Sequence, residues 1–211
     1  MKTDDWIGLL ATQAGPAPRW AVQRRLLPAL ALGSALALGL ATGWPWAPWQ
    51  TGTDGAVLAL KLGYTGAVLL AATSLAIQLG RPVMRQRHGL VWLLLTVLGM
   101  LLAAWATQVP GAPSGGAGVQ GQGSASVCAV SILGLSLPTL AAGFWALRGL
   151  APTRPALAGG ALGLMAGGAG ALAYAVVCTE SSALFVAVWY SVAMGLPALL
   201  GALLGPRLLR W

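Results

Sequence analysis

Apolar residues fall in six long runs bounded by charges, prolines or glycines, at residues 26–43, 56–79, 90–107, 128–147, 156–178 and 183–204. Each is close to the roughly 20 apolar residues that a helix needs to cross a hydrocarbon core about 30 Å thick. The pattern predicts an all-α fold, a polytopic six-transmembrane-helix bundle with residues 1–25 as a segment preceding a membrane domain over 26–211. The stretches between runs are short except one, Gln108 to Val127, which is uncharged and rich in Gly, Ser and Pro. That composition predicts a flexible tether with no core of its own.

Composition agrees. Hydrophobic residues make up 57% of the 211 and charged residues only 8%, with a mean hydropathy of +0.78. So few charges cannot cover a water-exposed surface, so lipid must face most of it. The net charge of +8 could suggest a nucleic-acid partner, but the cations sit at span edges and form no single patch, which argues against direct nucleic-acid binding. Lys2, Arg19, Arg24 and Arg25 precede the first run. Arg81, Arg85 and Arg87 lie between the second and third, Arg148 and Arg154 between the fourth and fifth, and Arg207 and Arg210 after the sixth. With six spans these eleven of the twelve basic residues share one side, which the positive-inside rule makes the cytoplasm, and both termini lie there. An error of one span would scatter them. No cleavable signal peptide is expected, because the chain opens with acids and its first apolar run starts near Leu26.

Other residues mark the bundle. Trp44, Trp46 and Trp49 follow the first span, and Trp20, Trp145 and Trp211 fall at the opposite edge, where indole rings favour the headgroup layer. Gly159, Gly163 and Gly167 recur every fourth residue in the fifth span, and Gly201 and Gly205 repeat the spacing in the sixth. Such stripes let helix backbones approach closely, inside the bundle or at a homodimer face. Pro138 and Pro197 are expected to kink or locally unwind spans four and six.

Chemistry-bearing side chains are few. Cys128 begins span four and Cys178 ends span five, so alternation of direction puts both thiols at the outer face. They fit two apolar fillers, a structural disulfide, or a redox or soft-metal sensor pair, since thiolates bind soft metals and oxidise reversibly. Two cysteines do not make a four-ligand metal site, and no cofactor is expected. Lys61 is the basic residue away from the inner rim, about one and a half turns inside span two. It must either snorkel or pair, and the expected partner is Glu180, two residues beyond Cys178. His88 has no acid or thiol beside it. Asp4, Asp5, Asp54 and Glu180 are the whole carboxylate inventory and none lies mid-membrane, which disfavours proton-coupled transport and catalysis.

The N-terminal segment is the remaining candidate. Thr3 can cap a helix whose first turn carries Asp4 and Asp5, favourable at a helix N-terminus. Trp6, Ile7, Leu9 and Leu10 then form an apolar face ended by Gly15-Pro16. So short a helix is marginal in water and must dock on the lipid bilayer, on the bundle or on a protein partner.

Several strings resemble a known family: Met1 through Asp5 with Leu9-Leu10, Lys61-Leu62-Gly63-Tyr64-Thr65, Leu135-Ser136-Leu137-Pro138, and Trp145-Ala146-Leu147-Arg148. The others are Ala151-Pro152-Thr153-Arg154-Pro155-Ala156, Tyr174 through Cys178 with Glu180, Phe185-Val186-Ala187 with Trp189-Tyr190, and Leu208-Leu209-Arg210-Trp211. They are similar to the NrsF-type anti-sigma factors, integral proteins of the bacterial inner membrane. The resemblance implies a multi-pass protein that holds an extracytoplasmic-function sigma factor through the segment carrying Thr3, Asp4, Asp5, Trp6, Leu9 and Leu10. It also implies that Cys128 and Cys178 control release under heavy-metal or oxidative stress. The alternatives are a membrane thiol-redox protein, for which the C-x-x-C pair is missing, and a small transporter, whose polar residues would be Thr73, Ser74, Gln78, Ser131 and Ser136.

Overall fold

The computed structural model describes residues 3, 8, 12, 20–43, 55–80, 87–106, 122–148, 150, 152–178 and 182–209. Its elements are α1 (Ala21–Thr42), α2 (Gly55–Leu79), α3 (Arg87–Ala106), α4 (Gln122–Leu147), α5 (Pro155–Val177) and α6 (Ala183–Leu208). All six are long and apolar enough to span a membrane, as the six runs predicted, and there is no strand among the described residues. A helix satisfies its backbone groups internally, which is what hydrocarbon demands of a spanning segment.

Two boundaries differ from expectation. Helix α1 begins at Ala21, so Arg24 and Arg25 extend the helix beyond its apolar run. Helix α4 begins at Gln122, so the last part of the expected tether is helical. Helices α4 and α6 continue through Pro138 and Pro197 without unwinding, and α6 also carries a π-helical turn over Val186–Tyr190.

Enclosure varies steeply between spans. In α5, 67% of the most apolar stretch is buried, against 17% in α3, most of whose leucines face outward. Helix α5 is central because its side chains are small. Ala158, Gly159, Ala161, Gly163, Ala166 and Gly167 are all buried. A β-carbon on Gly163 would collide with the Pro197 backbone and one on Gly159 with that of Gly201, while one on Gly167 would fall 2.8 Å from the Met194 carbonyl oxygen. The stripe is therefore used within the chain, to bring α5 and α6 into backbone contact. Gly168 seats α5 against Leu69 of α2, and Gly170 seats it against Ile132 and Ser136 of α4. Gly33 of α1 packs on Thr139 of α4, and Gly89 of α3 on Leu75 of α2.

Antiparallel packing puts the starts of α1, α3 and α5 at one end, where Leu26, Leu79, Leu147, Ala158 and Leu209 cluster. The starts of α2, α4 and α6 lie at the other. Exposed indoles mark the rims: Trp20, Trp92 and Trp145 at the first end and Trp105 at the second. Trp44, Trp46, Trp49 and Trp211 lie outside the described residues.

Candidate functional site: a cluster of thiols, lysine and tyrosines

The second end gathers most of the polar chemistry. Lys61 and Tyr64 come from the start of α2, Cys128 from the start of α4, Tyr174 and Cys178 from the close of α5, and Tyr190 and Ser191 from the start of α6. Tyr64, Cys128 and Tyr190 share one core with Val68, Met100, Ile132, Ala171 and Phe185, with Tyr174 packed against it.

Lys61 has no solvent-exposed surface, so it does not snorkel. Its Nζ donates a 2.8 Å hydrogen bond to the carbonyl oxygen of Cys178. Cys178 caps the C-terminus of α5, and its own N–H bonds back to the Tyr174 carbonyl at 2.9 Å. The last carbonyls of a helix have no partner within it and carry the negative end of its dipole, so an ammonium there is favourable on both counts. The expected partner Glu180 lies outside the described residues. Lys61 thus ties α2 to the end of α5. One turn on, Thr65 turns its hydroxyl inward to the Lys61 carbonyl at 2.8 Å.

Cys128 and Cys178 are not joined in a disulfide. Cys128 is wholly buried and Cys178 is 7% exposed. The Cys128 thiol is close enough to Cys178 and to Lys61 for their charges to act on one another. The Tyr174 and Tyr190 hydroxyls lie beside the Cys178 thiol. Their rings are tilted against each other with centroids 6.2 Å apart. The Tyr190 hydroxyl is buried yet outside hydrogen-bond geometry with any partner.

Helix α6 is shaped for this cluster. Ser182 caps it by accepting from the Phe185 N–H at 3.3 Å, and the π turn follows directly. Such turns are rare and concentrate at functional sites. Ser191, just beyond it, donates back to the Ala187 carbonyl and so accepts from the Tyr64 hydroxyl at 2.6 Å, joining α2 to α6. Four buried side-chain polar atoms among the described residues lack a hydrogen-bond partner: Gln78 Oε1, Thr139 Oγ1, Trp189 Nε1 and Tyr190 Oη. Two of these four are on the π turn.

The structure therefore brings together Cys128, Cys178 and Lys61. Of the N-terminal candidates, Thr3 is helical and exposed, while Asp4, Asp5, Trp6, Leu9 and Leu10 lie outside the described residues. Sequence reasoning missed the tyrosines as site residues, although Tyr64, Tyr174 and Tyr190 each fell in a string that carried the family resemblance.

Six apolar helices packed through small residues, with two buried thiols and a buried lysine at one end, define a polytopic α-helical membrane protein with a polar site near one face of its bundle. Residues 10–211 match the model of the family described as NrsF, negative regulator of sigma F, and the chain belongs to that family. It is 40% identical over 217 residues, covering all of both chains, to the anti-sigma-F factor NrsF of Caulobacter vibrioides. It is 34% identical over 224 residues, again covering both chains fully, to the probable anti-sigma-F factor NrsF of Azospira oryzae. No solved structure matches it.

Proposed function

We propose that this protein is a membrane-bound anti-sigma factor that sequesters an extracytoplasmic-function sigma factor at the cytoplasmic face and releases it when Cys128 and Cys178 are oxidised or capture a soft metal ion. Family membership and the full-length relatives named as anti-sigma-F factors support the first half. The observation that supports the second half is that Cys128 and Cys178, from different helices, lie at the same end of the bundle as Lys61, within range for their charges to interact. The positive-inside rule puts the arginines in the cytoplasm of a bacterial inner membrane and the thiols at the outer side. The N-terminal segment, residues 1–25, then holds the sigma factor on the side opposite the thiols.

The regulatory reading needs no catalytic step. A tenfold loss of sigma-factor affinity requires only about 1.4 kcal/mol of coupling between the thiols and the N-terminal segment. Transport is less well supported. The span hydroxyls expected to line a path turn back onto their own helices, Thr73 to the Leu69 carbonyl, Ser74 to that of Ala71 and Ser136 to that of Leu133, each at 2.7 Å.

Co-purification with the cognate sigma factor, with and without oxidant or metal, tests the proposal. Association with the untreated protein and loss after treatment are expected. No association at all would sink the anti-sigma reading. A normal response from Cys128→Ser and Cys178→Ser proteins would remove the thiols from it.

A further inference from the structure

The two cysteines are not equivalent. Cys178 lies one residue past the end of the α5 helix, retains 7% of its surface, and has the Tyr174 and Tyr190 hydroxyls beside its sulfur. Cys128 lies inside the α4 span with no exposed surface, packed among apolar side chains that include Val68, Ile132 and Ala171. A small oxidant arriving from the bundle end therefore meets Cys178 first. The Lys61 bond to the Cys178 carbonyl ties the backbone there to α2.

Tyr190 is the second observation. Its hydroxyl is entirely buried, with the Cys178 thiol beside it and no bond of standard hydrogen-bond geometry. Buried hydroxyls are almost always paired, because leaving one unpaired in an apolar setting is unfavourable. A thiol is a weak acceptor and meets that need poorly. An oxygen atom on the same sulfur would be a good acceptor at the same place. Tyr190 is the last residue of the π turn over Val186–Tyr190.

We propose that Cys178 is the thiol that a hydroperoxide oxidises first, that Tyr190 holds the resulting sulfenic acid by donating a hydrogen bond to its oxygen, and that Cys128 then resolves it to a disulfide. The proposal rests on the thiol-pair reading of the preceding section and assigns each residue its part. In the first step the Cys178 sulfur attacks one peroxide oxygen, an S–O bond forms, and the O–O bond breaks. The other oxygen leaves as water with hydrogen peroxide, or as an alcohol with an alkyl hydroperoxide, carrying the thiol proton. In the second step the Cys128 sulfur attacks the Cys178 sulfur. An S–S bond forms, the S–O bond breaks, and the hydroxyl leaves as water with the Cys128 proton. Two electrons pass from the two thiols to the hydroperoxide, and no further reductant is needed. Tyr190 is a positioning residue, unchanged at the end.

The test uses the full chain, reduced, in lipid nanodiscs, treated with hydrogen peroxide and trapped with dimedone before peptide mass spectrometry. The wild type should form the Cys128–Cys178 disulfide with little trapped adduct. Cys128→Ser protein should accumulate the dimedone adduct at Cys178, and Cys178→Ser protein should leave Cys128 largely unlabelled. Within the Cys128→Ser background, Tyr190→Phe keeps the ring and removes the hydroxyl, so the sulfenic acid should pass on to sulfinic acid roughly fivefold faster, the value of one neutral hydrogen bond. Tyr64→Phe, which loses a hydroxyl bonded elsewhere, is the control and should not shorten the lifetime. Equal labelling of Cys128 in the Cys178→Ser protein overturns the order of attack. An unchanged lifetime in Tyr190→Phe overturns the role of Tyr190, and no labelling of any variant overturns hydroperoxide chemistry at this pair. Sigma-factor binding is not read here, so these failures are separate from failure of the anti-sigma reading.

Discussion

The α5–α6 pair is packed in two different ways along its length. Where α5 begins and α6 ends, backbone meets backbone: Gly159, Gly163 and Gly167 lie against Gly201, Pro197 and Met194 with no room for a β-carbon. Where α5 ends and α6 begins, Tyr174, Tyr190, Phe185 and Trp189 fill the space, with ring centroids 6.2 Å apart in one pair and 6.4 Å in the other. Lipid gives helices no hydrophobic reason to associate, so close dispersion contact must hold the first end. At the second end, side chains with their own rotamers and several hydrogen bonds do the same work. The first end leaves little freedom to shift. The second holds both cysteines, a buried lysine and a tyrosine hydroxyl beside a thiol. On the proposed reading, a signal at the thiols would act on the adjustable end of a pair whose other end is fixed.

The largest expected effect comes from breaking the fixed end. Gly163→Leu forces its side chain into the Pro197 backbone and should destabilise the bundle by about 3 kcal/mol or more, read as loss of the folded monomer in denaturant titration in bicelles. Gly99→Leu is the matched control, because open space surrounds Gly99 on outward-facing α3, and it should change stability by less than about 1 kcal/mol. Equal effects at the two glycines would contradict the seam.

Lys61→Met comes next. It removes the tie between α2 and the close of α5 and leaves the Cys178 carbonyl without that donor, at a cost of roughly 2 kcal/mol. The loss should be local: hydrogen exchange should accelerate in the last turn of α5 and leave the N-terminal turns of α5, packed on α6, protected. Uniform acceleration along α5 would show that the two ends are not independent. Tyr64→Phe removes the bond to Ser191 and should cost only about 1 kcal/mol. The smallest structural effect is expected of Cys178→Ser, which should melt within a few degrees of wild type while its sigma-factor complex no longer responds to oxidant.

The fixed end was far more legible in the sequence than the adjustable one. Glycines at every fourth position announce a close helix contact, and the sixth span carried the answering pair, Gly201 and Gly205. What remained open was whether the stripe served the chain or a second copy, because spacing does not say which helix lies opposite. The span count was legible too, since arginines tolerate only one parity. The same parity put Cys128 and Cys178 at one end. Their neighbours were harder to read. Lys61 bonds a main-chain carbonyl, and every residue has one of those, so no pattern marks it. The start of α4 at Gln122 was missed because Gln122-Gly123-Ser124 continues the composition of the Gly/Ser stretch before it. Pro138 and Pro197 pointed to kinks or local unwinding, whereas nothing in the sequence pattern marked the π turn over Val186–Tyr190.

The most direct measurement is the affinity of the cognate sigma factor for the full chain in nanodiscs, with Cys128 and Cys178 reduced and then oxidised. The account predicts at least a roughly tenfold weaker complex after oxidation, corresponding to about 1.4 kcal/mol, and no change in a protein carrying Cys128→Ser and Cys178→Ser. Equal affinities for the reduced and oxidised wild type would contradict it.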